Sequence, residues 1–472
     1  MINVNIYYIK VYNSKGDMKV EILKKIDQHA QELPQRLALQ FDDLKCNYKQ
    51  LKINIELVLE DIASIPSHQF VAVIMKDPME TIIYYCALLK KNCIPCILDF
   101  QWSQEQIDTL LDHYGISYVI NEEQEIRSKH IKNNQLKWHD DLLHVGFTSG
   151  TTGLPKAYYR NEKSWIYSYK ENEKLLGMPL NILVAPGPLS HSLSLYACIY
   201  ALYSGRTFIG QCQFDAPLLL QTIEKISETV AMFLVPTMLT SCLAENIKME
   251  PVRYIFSTGD KLPLEIRNKV QQYMPQTILI EFFGTSEASF ISYNYNNEAP
   301  YHSVGLPFPN VKIHLAHQDE QGVGVLHIQS NMVFSGYANQ DISRSKWLEI
   351  GDFASLDHNG YLYLHGRQSD RMIIGGRNVY PTEIERVAQG YEYFNEVCIV
   401  SEPHSKFGEI AVLLYTGIRY VSYQSLKSFL SSYLARYQIP SKLIKIDKMY
   451  YTQSGKIARR QMKERYLGGE FK

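Results

Sequence analysis

HQFVAVIMKDPMETIIYYCALLKKNCIPCILDFQWSQEQIDTLLDHYGISYVIN, residues 68–121, decides the fold. HQFVAVIMK (68–76), IPCILDF (94–100) and SYVIN (117–121) are short apolar runs of strand length, two of them bounded by turn residues. Between them, METIIYYCALLKKN and SQEQIDTLLDHYG are long enough for helices. Strands alternating with helices of about 10–15 residues predict βα units and a largely parallel sheet.

The pattern extends upstream. VEILKKIDQHAQEL places Val20, Leu23, Ile26, Ala30 and Leu33 near one helical face, and Pro34 ends it. ALQF (38–41) reads as a strand and YKQLKINIELVLEDIAS as a helix. Helices and short strands continue through 185–260, including AMFLVPTML. From about residue 300 the texture changes. VKIHLA, GVLHIQ, FSGYA and GYLYLHG are short strands separated by Gly, Asn and Asp, and predict a small antiparallel unit, with Asn359-Gly360 as a hairpin turn. The last hundred residues read as a compact α+β set: helix TEIERVAQG, strands NEVCIVS and GEIAVLLYTG, helix SYQSLKSFLSSYLARY, strand SKLIKIDK.

The expected fold class is therefore α/β. A large multi-lobed N-terminal domain over 18–369 holds two mostly parallel βα sheets plus a small β unit. A small α+β C-terminal domain over 370–472 follows, and its mobility is what the family resemblance of the later motifs implies. Residues 1–17 fit this scheme poorly; either Met18 is the biological start or 1–17 is a loose extension.

Composition narrows the function. Lys plus Arg is 48 and Asp plus Glu 49, a formal net charge of -1, which lacks the positive field of a dedicated nucleic-acid binder. The 46% hydrophobic and 21% charged balance over 472 residues is that of a multidomain globular protein, not a disordered or fibrous one. The most apolar long stretch, ILVAPGPLSHSLSLYACIYALY at 182–203, is broken by two prolines and a histidine, so no membrane span is expected; peripheral membrane contact stays open. The eight cysteines follow no secretory signal, which predicts free thiols in a reducing cytoplasm. Cys93 and Cys96 form a lone CxxC at the entry to a buried strand, and read as small apolar residues because no second pair or nearby histidine completes a metal or redox site.

HVGFTSGTTGLPKAYYR (144–160) carries the strongest local chemistry. Its core runs Thr148, Ser149, Gly150, Thr151, Thr152, Gly153, Leu154, Pro155, Lys156. Gly150 and Gly153 permit a tight loop whose backbone N–H groups converge on anionic oxygens; the hydroxyls add donors and Lys156 a positive charge. The loop follows an apolar strand, but GxxxxGK[ST] is absent, so it is not a Walker A loop. From these residues alone a surface turn is the competing reading.

This stretch resembles the signature of the acyl-adenylate-forming, AMP-binding superfamily, acyl-CoA synthetase branch, and the resemblance extends over about residues 20–460. It implies that Thr148–Gly153 and Lys156 hold phosphate. In Glu281-Phe282-Phe283-Gly284-Thr285-Ser286-Glu287, it matches Phe283 to an adenine-facing aromatic beside Gly284, Thr285 to a phosphate contact and Glu287 to a Mg2+-associated carboxylate. Without the resemblance, Thr285 or Ser286 would cap a helix. In Ser257-Thr258-Gly259-Asp260, Gly259 is implied beside the adenine and acyl pockets and Asp260 at the adenine edge. Asp352 is implied to accept from both ribose hydroxyls, Arg367 to hold ribose or phosphate, and Asp370 to be the interdomain hinge.

Gly375 and Gly376 correspond to the path of the pantetheine arm of CoA, although Ile374 stands where relatives commonly carry lysine. Lys456, in Ser454-Gly455-Lys456-Ile457, matches a catalytic lysine, with the usual upstream proline replaced. His191, in GPLSHSLSLY, is either a satisfied core histidine or lines the acyl site near the phosphate. No GxSxG elbow supports a hydrolytic triad.

The implied reaction joins a carboxylic acid to AMP from ATP with Mg2+, then passes the acyl group to CoA. Lys456, Thr285, Glu287 and His191 are its expected catalytic residues. The apolar and aromatic content of 186–210, 233–239 and 257–290 favours a fatty acid, with aryl and short-chain acids as alternatives. An amino acid is disfavoured, because no aspartate near Pro188–Ser192 is placed to hold its ammonium. An acyl carrier protein is the alternative acceptor, a non-catalytic nucleotide-binding protein the alternative class. A monomer or dimer is expected.

Overall fold

The computed structural model describes residues 20–128, 135–148, 154–245, 249–338, 347–451 and 457–471. The extension 1–17, residues Ser149–Gly153 of the loop and Lys456 all lie outside them.

The decisive stretch folds as read. Phe70–Val73, Ile94–Ile97 and Tyr118–Ile120 are parallel neighbours with Leu142–Thr148, and helices Pro78–Lys90 and Gln104–Tyr114 make the crossovers. Asp77 caps the first helix with Pro78 at its first turn; Ser103 and Gln106 form a capping box on the second, which Gly115 closes at φ 75°. Antiparallel strands flank this parallel centre: Ile126–Ser128 at one edge, Lys156–Asn161 and Gly336–Tyr337 at the other.

A nine-stranded sheet forms the second layer. Its parallel run, in spatial order, is Ile278–Thr285, Val252–Ser257, Val230–Leu234, Ile182–Val184, Thr207–Gly210 and Leu37–Phe41. Antiparallel strands extend both ends, Ser289–Tyr295 and then Leu306–Pro307 at one and Leu44–Asn47 at the other. Helix Glu21–Glu32 buries Ile22, Leu23, Ile26 and Ala30, close to the predicted face. Helices Pro78–Lys90 and Ser192–Tyr203 are apolar on nearly all sides and fill the main core between the two sheets. At roughly 25 cal/mol per Å2 of apolar surface, such fully enclosed helices contribute far more than their own propensity.

Strands Lys312–Ala316, Gly324–Gln329, Leu348–Leu356 and Leu362–Arg367 build the small antiparallel unit. Asp357 accepts from the Asn359 and Tyr361 amides and Gly360 takes φ 84°, which forms the expected hairpin turn. FSGYA is a correction. Gly336–Tyr337 leaves this unit and pairs with Tyr158 and Tyr159 in the first sheet. The reason is register: the Ser335 and Ala338 amides meet the Tyr159 and Ala157 carbonyls.

The C-terminal domain has a five-stranded sheet, Arg377–Val379, Met372–Ile374, Gly408–Thr416 and Glu396–His404, with Lys442–Lys445 parallel to the third of these. Helix Tyr423–Ser431 is shorter than the periodicity predicted, and Arg436–Gln438 is a separate 3-10 turn.

All eight cysteines are unpaired, and seven are buried, Cys93 and Cys96 among them. Among the described residues no helix is long and apolar enough to cross a membrane.

Candidate active site

Thr148 and Lys156 face each other across the antiparallel pair that flanks residues 149–153. Lys156 is exposed, and its Nζ lies 5.7 Å from the centre of the Tyr337 ring. Tyr337 in turn donates its hydroxyl to the Glu287 carboxylate. Burial, then the Glu287 charge, raise the Tyr337 pKa, while Arg367 opposes the rise, so Arg367 acts on the same hydroxyl. In the small antiparallel unit Asp352 is buried, with Oδ1 3.3 Å from Arg367 Nε, and these residues are direct cross-strand partners. Lys156, Glu287, Asp352 and Arg367 thus form one charged locus, with Tyr337 at its centre.

The 281–287 motif does not cap a helix. Strand Ile278–Thr285 turns straight back into Ser289–Tyr295. Thr285 Oγ1 accepts the Ala288 amide at 3.1 Å, which tightens the turn. A β-carbon on Gly284 would lie 2.0 Å from the Ser289 carbonyl oxygen, so this bulge requires glycine. Phe283 is half-buried and packs against the main core. Behind the turn, Arg160 is 1% exposed and donates to Ser164 Oγ at 3.1 Å, to the Met332 carbonyl at 3.0 Å, and to the Ser286 carbonyl. One buried guanidinium therefore ties the turn to the first sheet and to the segment before Tyr337.

A second anchor fixes Gly259-Asp260. Buried Glu281 accepts the Leu262 amide at 2.7 Å, pairs with Arg267, and lies 3.2 Å from Lys261 Nζ. Lys261 also donates to the Ser303 carbonyl at 2.6 Å. Gly259 has φ 96°, and both Gly259 and Asp260 are exposed.

Between these elements opens a cavity of about 650 Å3, within the usual range for small-molecule sites. His191, Gly259 and Asp260 stand at its exposed rim beside Gly284 and Thr285. Trp165, Tyr196, Phe282 and Phe290 are its buried lining. Desolvation holds His191 below the ordinary histidine pKa, only partly offset by Asp99, which favours a neutral ring near pH 7. Phe283 is not among the lining residues. Gly375 and Gly376 lie apart, as the exposed two-residue turn between Met372–Ile374 and Arg377–Val379, with φ 58° and 79°. Asp370 pairs with Arg459 at 3.0 Å, and Arg459 also pairs with Glu385. Tyr451 and Ile457 bridge on either side of the segment that includes Lys456.

Sequence reasoning missed Tyr337, Arg160, Glu281 and Trp165 as site builders. An arginine or tyrosine on a short strand reads as solvated or core. The signal for Arg160 was its place directly after Ala157–Tyr159, a run that is buried.

The AMP-binding enzyme family profile matches residues 26–338. VraA of Staphylococcus epidermidis, which carries the name of a long chain fatty acid-CoA ligase, is 45% identical over 461 residues, covering 95% of this chain and 99% of VraA. The chain belongs to the AMP-binding enzyme family. It is thus an AMP-forming acid–thiol ligase by class. The Bacillus subtilis acyl–CoA ligase YhfT is 33% identical over 68% of each chain. In three dimensions, the AMP-binding fold is shared with o-succinylbenzoate CoA synthetase (MenE) of Bacillus subtilis, solved with its acyl-adenylate intermediate. The TM-score is 0.82 at 22% identity, over 93% of this chain and 97% of that one. A Mycobacterium tuberculosis fatty acyl CoA synthetase aligns with TM-score 0.72 at 21% identity, over 96% and 99%.

Proposed function

We propose that this AMP-binding enzyme activates an apolar carboxylic acid of the fatty-acid class with ATP, forming acyl-AMP and pyrophosphate, and passes the acyl group to CoA. The observation that carries this reading is the gathering of Lys156, Glu287, Asp352 and Arg367 around Tyr337, together with an aromatic-lined cavity whose rim holds Thr285 and His191.

A carboxylic acid of pKa about 4–5 is ionised near pH 7, so no protein base is required. The difficulty is anion meeting anion. Lys156, with the 148–153 loop, offsets phosphate charge as the carboxylate approaches. Arg367 adds a second cation, oriented by Asp352. Asp352 retains acceptor capacity for the ribose hydroxyls. Thr285 presents its hydroxyl at the cavity, and His191 lines the path of the acid in a form that does not trap the carboxylate as an ion pair. Lys456 brings the charge that stabilises the adenylation transition state. Glu287 fits Mg2+ as a hard oxygen donor. Among the described residues no cluster of three or more His, Cys, Asp or Glu could cage a metal, which suits a cation held mainly by one carboxylate and substrate phosphates. Mg2+ bound there supplies charge neutralisation on the phosphates.

Thiol attack on the acyl-AMP completes the reaction. We assign the lid to 370–472, with rotation at Asp370 and the Gly375-Gly376 turn as the CoA-facing segment. ATP–pyrophosphate exchange over a ladder of fatty, aryl and amino acids tests the first step; exchange with amino acids alone, or with no acid, rejects the proposal. CoA compared with a purified holo-carrier protein tests the acceptor.

A further inference from the structure

We infer that Tyr196 is the floor of the acid pocket and limits this enzyme to compact acyl groups, short- to medium-chain or single-ring, rather than long chains. The inference rests on the acid-activation reading and concerns the same cavity.

The cavity has direction. Its rim residues His191, Gly259 and Asp260 are exposed, whereas Trp165, Tyr196 and Phe290 at the other end are 1%, 4% and 3% exposed. That closed end is braced. The Tyr196 hydroxyl accepts from Asn172 Nδ2 at 3.0 Å. Its ring stands edge-on to Trp165 at 5.5 Å and to Phe290 at 5.3 Å, and lies 5.1 Å from Tyr169. Tyr169 stacks on Tyr200 at 4.7 Å. Interlocked rings in a close-packed core resist displacement, since no neighbour can move without opening a void. An acyl tail reaching Tyr196 therefore stops there.

The cavity is also shared. Thr258, Gly259, Asp260 and Gly284–Ser286, the segments assigned to the nucleotide, line the same space as the aromatic floor. Adenosine and the α-phosphate then take part of it, and the acyl group is left the part that ends at Tyr196.

The test is ATP–pyrophosphate exchange by the full-length enzyme across straight-chain acids from acetate to palmitate, plus benzoate and phenylacetate. The expected result is activity on compact acids and a sharp cut-off, each methylene past it lowering kcat/KM by about tenfold. Tyr196→Ala moves the cut-off to longer acids, and Tyr196→Phe, which keeps the ring, retains the short one. Best activity on palmitate by the wild-type enzyme overturns the floor while leaving acid activation intact. Exchange with none of the acids overturns both. Because the wild-type ladder decides alone, a poorly folded Tyr196→Ala does not rescue the idea.

Discussion

Tyr337 hydrogen-bonds Glu287 with its hydroxyl while its ring lies under Lys156. One side chain thereby sets the orientation of the carboxylate assigned to the cation and offers its ring face to the lysine assigned to phosphate. Hydrogen bonds to charged groups contribute about 1.5–3 kcal/mol. Tyr337→Phe keeps the ring and removes the bond. The expected outcome is a ten- to hundredfold loss in exchange activity, by that same figure of about 1.5–3 kcal/mol, and a higher half-saturating Mg2+, with the KM for the acid unchanged. An unaltered Mg2+ titration would remove Tyr337 from this role.

On the proposed mechanism, Lys456 divides the two half-reactions. Replacing it with alanine should reduce ATP–pyrophosphate exchange by at least about 10²–10³, the usual consequence of losing one well-placed transition-state donor. Thioester formation from supplied acyl-AMP and CoA should persist. Equal losses in both assays would show that the lysine supports folding or general binding instead.

His144 makes stability depend on pH. It is buried against Trp165, with Nδ1 3.1 Å from the Tyr85 hydroxyl, and desolvation, reinforced by Arg160, lowers its pKa to about 3. An unfolded histidine titrates near about 6.5. Between those values the unfolded chain holds a proton that the folded chain does not. Stability is therefore complete above the unfolded value and is lost as pH falls through the window, by up to about 1.4 kcal/mol per pH unit from this group. Denaturant unfolding at pH 7.5, 6 and 5 measures it. His144→Phe should be weaker at pH 7.5, because the Tyr85 hydroxyl loses its partner, yet lose less further stability on acidification.

Gly284→Ala drives a methyl group into the Ser289 carbonyl. Overpacking of this kind typically costs about 1–3 kcal/mol. Because the collision is at the turn bearing Thr285 and Glu287, thermal melting should fall modestly while nucleotide-dependent stabilisation disappears. A variant that melts lower but still gains stability from ATP and Mg2+ would separate the bulge from the site.

Much of this architecture was legible because its signals are periodic and local. Residues 68–121 fixed the βα order, since strand-length apolar runs alternate with helix-length ones. The loop at 148–156 was legible as an anion-binding loop from its own glycines, hydroxyls and lysine, whereas Asp352 and Arg367 were assigned only by the family resemblance. Long-range pairing was not legible. Nothing local to FSGYA says that Gly336–Tyr337 joins a strand nearly two hundred residues earlier, and so Tyr337 went unassigned. Arg160 and Glu281 escaped for a related reason: a charged residue reads as solvated until the partners that neutralise it are brought in from distant segments. The hairpin after Phe283 likewise depends on the strand that answers it, whereas Thr285 and Ser286 by themselves favour a helix cap.

The thiols have a chemical consequence for a catalyst of this class. An acyl-AMP reacts with any accessible thiolate, so a protein that makes one beside its own cysteines risks acylating itself. No cysteine is among the residues lining the cavity. Burial raises the pKa of Cys46 to about 11 and of Cys86, Cys242 and Cys398 to about 12, and it also raises Cys93, Cys96 and Cys198. Cys212, the exposed one, is likewise held at about 11 by desolvation and the neighbouring Asp42. Near neutral pH each stays a poorly nucleophilic thiol, which leaves the anhydride to the acceptor delivered from outside.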